Sequence, residues 1–192
     1  MVLWYANRGT GVVLVLLLSA ATALGVLSTA RAGSTRWPRF ATQSLHRNVS
    51  LLAMMLLLAH VVTPVVDSFT DLRWFHALAP VNGEYVARHR LPMALAALAF
   101  DLLVLITVTS LVRARLPHRA WRGLHLLSYL SWALGVLHGW LLGTDADTLW
   151  SRTVTVIAVT VVALAVLVRL ATWWHESRRS TRQSDQAMAH LP

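Results

Sequence analysis

Long apolar stretches separated by short polar segments dominate this chain. Five of them are long enough to form membrane-spanning helices, and they lie at 11–30, 47–66, 91–112, 124–142 and 153–174. A helix of roughly 20 apolar residues crosses the hydrocarbon core of a bilayer, which is about 30 Å thick. No region has the pattern of a β-sheet. The sequence therefore predicts an all-α integral membrane bundle of five transmembrane helices.

Composition supports this class and removes several cofactors. The chain is 56% hydrophobic and only 13% charged, which is typical of a membrane protein. It has no cysteine, so disulfides, iron–sulfur clusters, thiolate-bound zinc and covalently attached c-type heme are excluded. The net charge of +9 comes from arginines between apolar runs, which indicates membrane topology rather than a nucleic-acid partner.

The distribution of charge predicts the orientation. Twelve of the seventeen arginines lie in segments 31–47, 113–122 and 169–182, and five of the eight acidic residues lie in the alternate segments. The positive-inside rule then places the N-terminus outside and the C-terminus in the cytoplasm of a multi-pass cell-membrane protein. The first apolar run resembles a signal peptide, but most nearby arginines follow it, so we expect a retained helix. We expect one membrane domain at 1–175 and a disordered polar cytoplasmic tail at 176–192.

Two of the predicted helices each carry two histidines. His46 and His60 are fourteen residues apart in the second helix, and His125 and His138 are thirteen apart in the fourth. In the predicted topology these helices are parallel, and each spacing separates two levels by roughly 20 Å. Because neutral imidazole is a common axial ligand of heme iron, the pattern predicts that the four histidines bind two b-type hemes.

The angular positions fit one helix better than the other. On an ideal helix, side chains fourteen residues apart point within roughly 40° of the same direction. Side chains thirteen residues apart point in directions that differ by roughly 140°. We therefore expect a tightened or distorted turn near Gly135, or tilted hemes, in the fourth helix.

Arginines near these histidines are candidates for binding heme propionates, since guanidinium pairs with carboxylate in bidentate fashion. Arg47 adjoins His46, and Arg122 lies about one turn before His125. For the outer heme, the candidates are Arg8, Arg73, Arg88 and Arg90. The alternative is that the inner arginines, Arg47 and Arg122, only orient the protein. Two further histidines in the outer loop, His76 and His89, are expected not to bind heme iron but could meet a substrate metal.

The two histidine spacings resemble those of the ferric reductase-like transmembrane domain, the heme-bearing membrane part of NADPH oxidases and ferric reductases. Leu45-His46-Arg47 and Leu137-His138-Gly139 are similar to its local motifs, and the resemblance covers about residues 5–175. It implies that His46 pairs with His125 and His60 with His138. The oxidases have six membrane helices followed by flavin- and NADPH-binding domains. This chain, with five predicted helices and no such domains, is similar to small bacterial members that depend on a separate electron donor.

The expected function is that of an oxidoreductase component with bis-histidine hemes. It would carry electrons from a cytoplasmic flavin or flavoprotein to an external acceptor, namely ferric iron, oxygen or a partner oxidoreductase. Two alternatives remain open: a quinol-oxidising cytochrome b subunit, and a metal transporter whose intramembrane histidines form a conduction path. Asp101, in the middle of the third helix, is expected to be protonated or hydrogen-bonded to a neighbouring helix, or to handle protons.

Overall fold

The computed structural model describes residues 2–29, 38–67, 72–79, 87, 89–143 and 145–189. Its five α-helices are α1 Val2–Thr29, α2 Arg39–Val66, α3 Arg90–Leu111, α4 His118–Leu142 and α5 Leu149–Ala189. Short 3-10 helices lie at Trp74–Ala77, between α2 and α3, and at Arg113–Arg115, between α3 and α4. The described residues contain no β-strand, so the prediction of an all-α membrane bundle is confirmed.

Among the described helices, α1, α2, α3 and α5 are long and apolar enough to cross a membrane. Helix α4, with 25 residues, is also long enough to cross a membrane, but polar residues interrupt its apolar sequence. One of them, Ser131, is fully buried and donates a hydrogen bond to the carbonyl oxygen of Ala99 in α3, at 2.9 Å. The polar groups of α4 thus serve contacts inside the bundle.

The order of the contacts shows how the helices run relative to one another. Helix α1 packs against α2 and α5 and more lightly against α4, while α3 packs against α4. Early residues of α1 meet late residues of α2, and the same holds for α3 and α4, so each pair is antiparallel. His46 lies beside His125 near the start of α2 and α4, and His60 lies near His138 toward their ends, so these two helices are parallel, as predicted. Their backbones make few contacts with each other. The histidine-bearing helices therefore face each other across a space.

Several of the most deeply buried side chains in the helices are small. The buried alanines include Ala53 in α2, Ala97 in α3 and Ala158 in α5, each no more than 3% exposed. Small side chains let helix backbones approach closely, which is how helices associate inside a membrane. Large apolar side chains such as Met55 and Leu167 are instead more than half exposed, as expected for surfaces that contact lipid.

Three helices depart from the sequence-based expectations. Helix α5 continues as far as Ala189, well past His175, where disorder was expected to begin. Helix α4 is an unbroken α-helix through Gly135, so the distorted turn expected there is absent. Helix α2 ends at Val66, as expected, but it begins at Arg39, eight residues before the predicted apolar run.

Candidate functional site

His46 and His125 face each other across the space between α2 and α4. Their ring centres are 6.1 Å apart, and the ring planes make an angle of 76°. Two metal–imidazole bonds of about 2 Å each, plus about 1 Å from each nitrogen to its ring centre, would separate ring centres by roughly 6 Å. The spacing of this pair thus fits one metal ion held between two imidazoles.

His60 and His138 form the second pair, at the other end of the two helices. Both line one cavity of about 350 Å³, and they lie close enough for a charge on one ring to be felt by the other. That volume falls within the range of small-molecule and cofactor sites. Its lining is predominantly apolar and comes from all five helices. The cavity therefore suits a large apolar group held between two imidazoles.

Each of the four imidazoles lies within hydrogen-bonding distance of a neighbouring helix through Nδ1. On the α2 side, His46 Nδ1 lies 2.8 Å from the carbonyl oxygen of Ala21, and His60 Nδ1 lies 3.2 Å from that of Asn7. Because a carbonyl oxygen can only accept, both Nδ1 atoms must donate. His60 Nδ1 also lies 3.3 Å from the hydroxyl of Thr10.

On the α4 side both imidazoles reach α3. His138 Nδ1 donates to the carbonyl oxygen of Pro92 at 2.9 Å, and His125 Nδ1 lies 3.3 Å from the hydroxyl of Ser110. Residues 92 and 110 are eighteen positions apart, which is five complete helical turns, so they share one face of α3. The side chains of α4 thus reach a common partner surface although the thirteen-residue spacing is not a whole number of turns.

This use of Nδ1 decides which nitrogen is left for a metal. In His46, His60 and His138 the proton is fixed on Nδ1, so Nε2 carries the free lone pair. Metal-ligating histidines commonly donate their other ring N–H to a carbonyl in this way, which fixes the ring orientation and raises the basicity of the ligating nitrogen. These three histidines therefore have the second-shell contacts of metal ligands.

Two glycines of α1 give the imidazoles of α2 room to approach. A Cβ atom built on Gly25 would lie 3.3 Å from Cε1 of His46, and one on Gly11 would lie 3.1 Å from Cε1 of His60. Each glycine stands four residues after the acceptor carbonyl, in Ala21 and Asn7 respectively, and the two glycines are fourteen residues apart. Helix α1 thus repeats one carbonyl-and-glycine unit at the same interval that separates His46 from His60.

An aromatic side chain packs against His125, the first of the two histidines in α4. The Trp121 ring stacks on His125 with ring centres 5.1 Å apart and planes 26° apart. Its Nε1 donates to the hydroxyl of Ser110 at 3.5 Å, and the Arg113 guanidinium lies 5.9 Å from its ring centre. Trp121 therefore helps to hold His125.

Charged residues collect at one end of the cavity that contains His60 and His138. Arg8 forms an ion pair with Asp145 and lies over the ring of Trp4, 4.3 Å from its centre. Arg73 also lines this end. The cavity thus has an apolar body and a charged end, as an amphipathic cofactor with carboxylate groups requires.

The arginine candidates divide into two groups. Arg8 and Arg73 line the cavity, in the position the sequence suggested for the outer site. Arg47 and Arg122 lie beside the His46 and His125 end of the helices with exposed side chains. Arg90, at the start of α3, is exposed as well, and Arg88 lies outside the described residues.

Several residues of this site could not be identified one by one from the sequence. They are the carbonyl acceptors Asn7, Ala21 and Pro92, the hydroxyl of Ser110, and the two glycines of α1. The only available signal was the fourteen-residue interval between Gly11 and Gly25, which equals the histidine spacing on the next helix. Asp101 lies in the middle of α3 with a partly exposed side chain and does not line the cavity.

Comparison with known families agrees with this geometry. The model of the ferric reductase like transmembrane component matches residues 10–136, which are 127 of the 192 residues. The chain belongs to this family of membrane electron-transfer components, whose domains generally bind heme. The match includes His46, His60 and His125 and ends two residues before His138. No curated protein matches the chain.

Proposed function

We propose that this protein is a di-heme b-type cytochrome that carries single electrons across the cell membrane. The observation that carries the proposal is the pairing of four imidazoles at two levels of α2 and α4, each with Nδ1 within hydrogen-bonding distance of a neighbouring helix. His46 with His125, and His60 with His138, would each supply the two axial ligands of one iron. Heme iron would contribute a one-electron ferric–ferrous couple at each level.

The number of ligands favours heme over a bare metal ion. Among the described residues, no three histidine, cysteine, aspartate or glutamate side chains gather as a binding site for a free ion would require. A heme needs only two protein ligands because its porphyrin supplies the other four. Pairs of imidazoles separated by roughly 20 Å along a helix therefore fit two hemes better than the conduction path of a metal transporter.

The surrounding residues would each serve the bound groups in a different way. Apolar residues of the cavity would exclude water from the macrocycle, while Arg8 and Arg73 lie where carboxylates could be neutralised. At the other level, Arg47 and Arg122 are the candidates for binding propionates. The exposed positions of these last two side chains also suit contact with a donor protein.

The charge distribution supports a direction of transfer. With the arginine-rich ends of α2 and α4 in the cytoplasm, the His46–His125 level would receive electrons from a flavin or flavoprotein. The His60–His138 level would pass them to an external acceptor such as ferric iron, oxygen or a partner oxidoreductase. His60 and His138 would hold the heme of this level, and its iron would supply the electron that the external acceptor takes up.

A pyridine hemochrome measurement on the purified full-length protein tests the proposal. Two b-type hemes per polypeptide are expected, with spectra that respond to reduction in two potentiometric steps. Protein that is folded and membrane-inserted but shows no reducible b-type spectrum would refute the proposed function. Reduction by quinol but not by a flavin donor would instead identify a quinol-oxidising cytochrome.

A further inference from the structure

His76 is a buried histidine at the cavity that no part of the proposed electron path uses. It lies in the 3-10 helix Trp74–Ala77, is 4% exposed, and lines the cavity together with His60 and His138. Its Nδ1 accepts a hydrogen bond from the backbone N–H of Arg73 at 3.1 Å. This role is the reverse of that found for His46, His60 and His138, whose Nδ1 atoms donate.

The hydrogen bond from Arg73 decides where the proton of His76 resides. Because a backbone N–H can only donate, Nδ1 must be unprotonated, and the neutral ring then carries its proton on Nε2. Nε2 is shielded from solvent and has no hydrogen-bond partner in the part of the chain that the structure describes. A buried donor without an acceptor is unfavourable, so the structure calls for an acceptor at this position.

The surroundings favour a carboxylate as that acceptor. An ionised carboxylate accepts hydrogen bonds without donating any, and its bond with an N–H donor is assisted by charge. Arg8 and Arg73 line this cavity and could share such a carboxylate with His76, although Asp145 already pairs with Arg8 and Asp67 also lines the cavity. A substrate metal, which the sequence suggested for His76, fits less well because neither ring nitrogen presents a free lone pair.

We propose that His76 donates a hydrogen bond from Nε2 to a propionate carboxylate of the heme held by His60 and His138. This inference rests on the proposed function. The bond would offset part of the negative charge beside that heme. Since reduction adds a further negative charge, the bond would make this heme easier to reduce without affecting the other one.

Two amide substitutions distinguish the role of Nδ1 of His76 from that of Nε2. In His76→Asn, the amide oxygen can replace Nδ1 as acceptor for Arg73, but the donor at Nε2 is lost. In His76→Gln, the longer side chain places an amide N–H near the position of Nε2. Trp74→Phe is the control, because Trp74 lies on the same 3-10 helix and is 70% exposed. For each purified protein, heme per chain and the two midpoint potentials are measured.

The proposal expects one midpoint potential to fall in His76→Asn, to return toward the wild-type value in His76→Gln, and to remain unchanged in Trp74→Phe. Loss of one heme in His76→Asn but not in His76→Gln would also support it. Unchanged potentials in fully loaded His76→Asn would overturn it, as would equal heme loss in both variants. An unchanged potential with a higher KM for the external acceptor would overturn it in favour of acceptor binding. Wild-type protein without heme would contradict the proposed function itself.

Discussion

The Nδ1 atom of His46 in α2 lies 2.8 Å from the carbonyl oxygen of Ala21 in α1. This contact fixes the proton of the imidazole on Nδ1, beside α1, and leaves Nε2 with the free lone pair. The same relationship recurs fourteen residues along each helix, between His60 and Asn7. Helix α1 carries none of the four histidines, yet it orients both that belong to α2.

The glycine beside this contact gives the first prediction. An alanine in place of Gly25 would bring a Cβ atom to 3.3 Å from His46, so the imidazole must shift by a few tenths of an ångström. Alanine intrinsically favours a helix by about 0.8–1 kcal/mol over glycine, so any loss must come from this contact. We expect Gly25→Ala to change the electron paramagnetic resonance signal of one heme and to accelerate its dissociation. Gly9→Ala, where the added Cβ meets nothing within 4 Å, should leave both hemes unchanged.

The histidine pairs give the second prediction. Replacing His60 and His138 together by alanine should lower the heme content from two per chain to one, and the remaining heme should keep its potential. Replacing His46 and His125 together should remove the other heme. A cross-paired double variant, His46→Ala with His138→Ala, damages both sites and should leave little heme. Hemochrome assays distinguish these outcomes, and full heme retention in any double variant would disprove the pairing.

Ser110 provides the third prediction, because its hydroxyl contacts both Nδ1 of His125 and Nε1 of Trp121. Loss of such a second-shell partner typically lowers metal affinity or activity by about 10- to 100-fold. We expect Ser110→Ala to raise the rate of transfer of one heme to apomyoglobin by about tenfold. Thr109→Ala is the matched control, since the hydroxyl of Thr109 bonds to the carbonyl of Leu105 within its own helix, at 2.7 Å. Equal rates in the two variants would contradict a supporting role for Ser110.

The ion pair between Arg8 and Asp145 gives a prediction about stability. It connects α1 with the segment between α4 and α5, and both side chains are about two-thirds or more shielded from solvent. Asp147, by contrast, is 99% exposed and pairs with Arg152 near the surface. Asp145→Asn should lower the free energy of unfolding by roughly 1 kcal/mol, whereas Asp147→Asn should change it by less than about 0.5 kcal/mol. Thermal unfolding in detergent, followed by circular dichroism, compares the two variants directly, and equal shifts would contradict this difference.

Much of the architecture could be predicted from the sequence because its cause is local. A run of about 20 apolar residues has to form a helix in a bilayer, where every backbone group must be hydrogen-bonded within the segment. The five helices, the absence of predicted strands and the family resemblance could therefore be recognised from the sequence alone. The parallel course of α2 and α4 also followed, since two crossings separate them. The identification of four histidines as a set depended on two spacings that can be counted in the sequence.

The tertiary structure decided how those histidines are held, because their partners lie on other helices. Neither the approach of His46 to Ala21 nor that of His138 to Pro92 has a signal along the chain, since each partner contributes only a backbone carbonyl. The thirteen-residue spacing on α4 predicts a distorted turn or tilted hemes. In the structure, α4 is a regular helix, and the side chains of His125 and His138 both reach one face of α3. Helical periodicity describes where a side chain leaves its own helix. Where its terminal nitrogen lies depends on the neighbouring helix against which it packs.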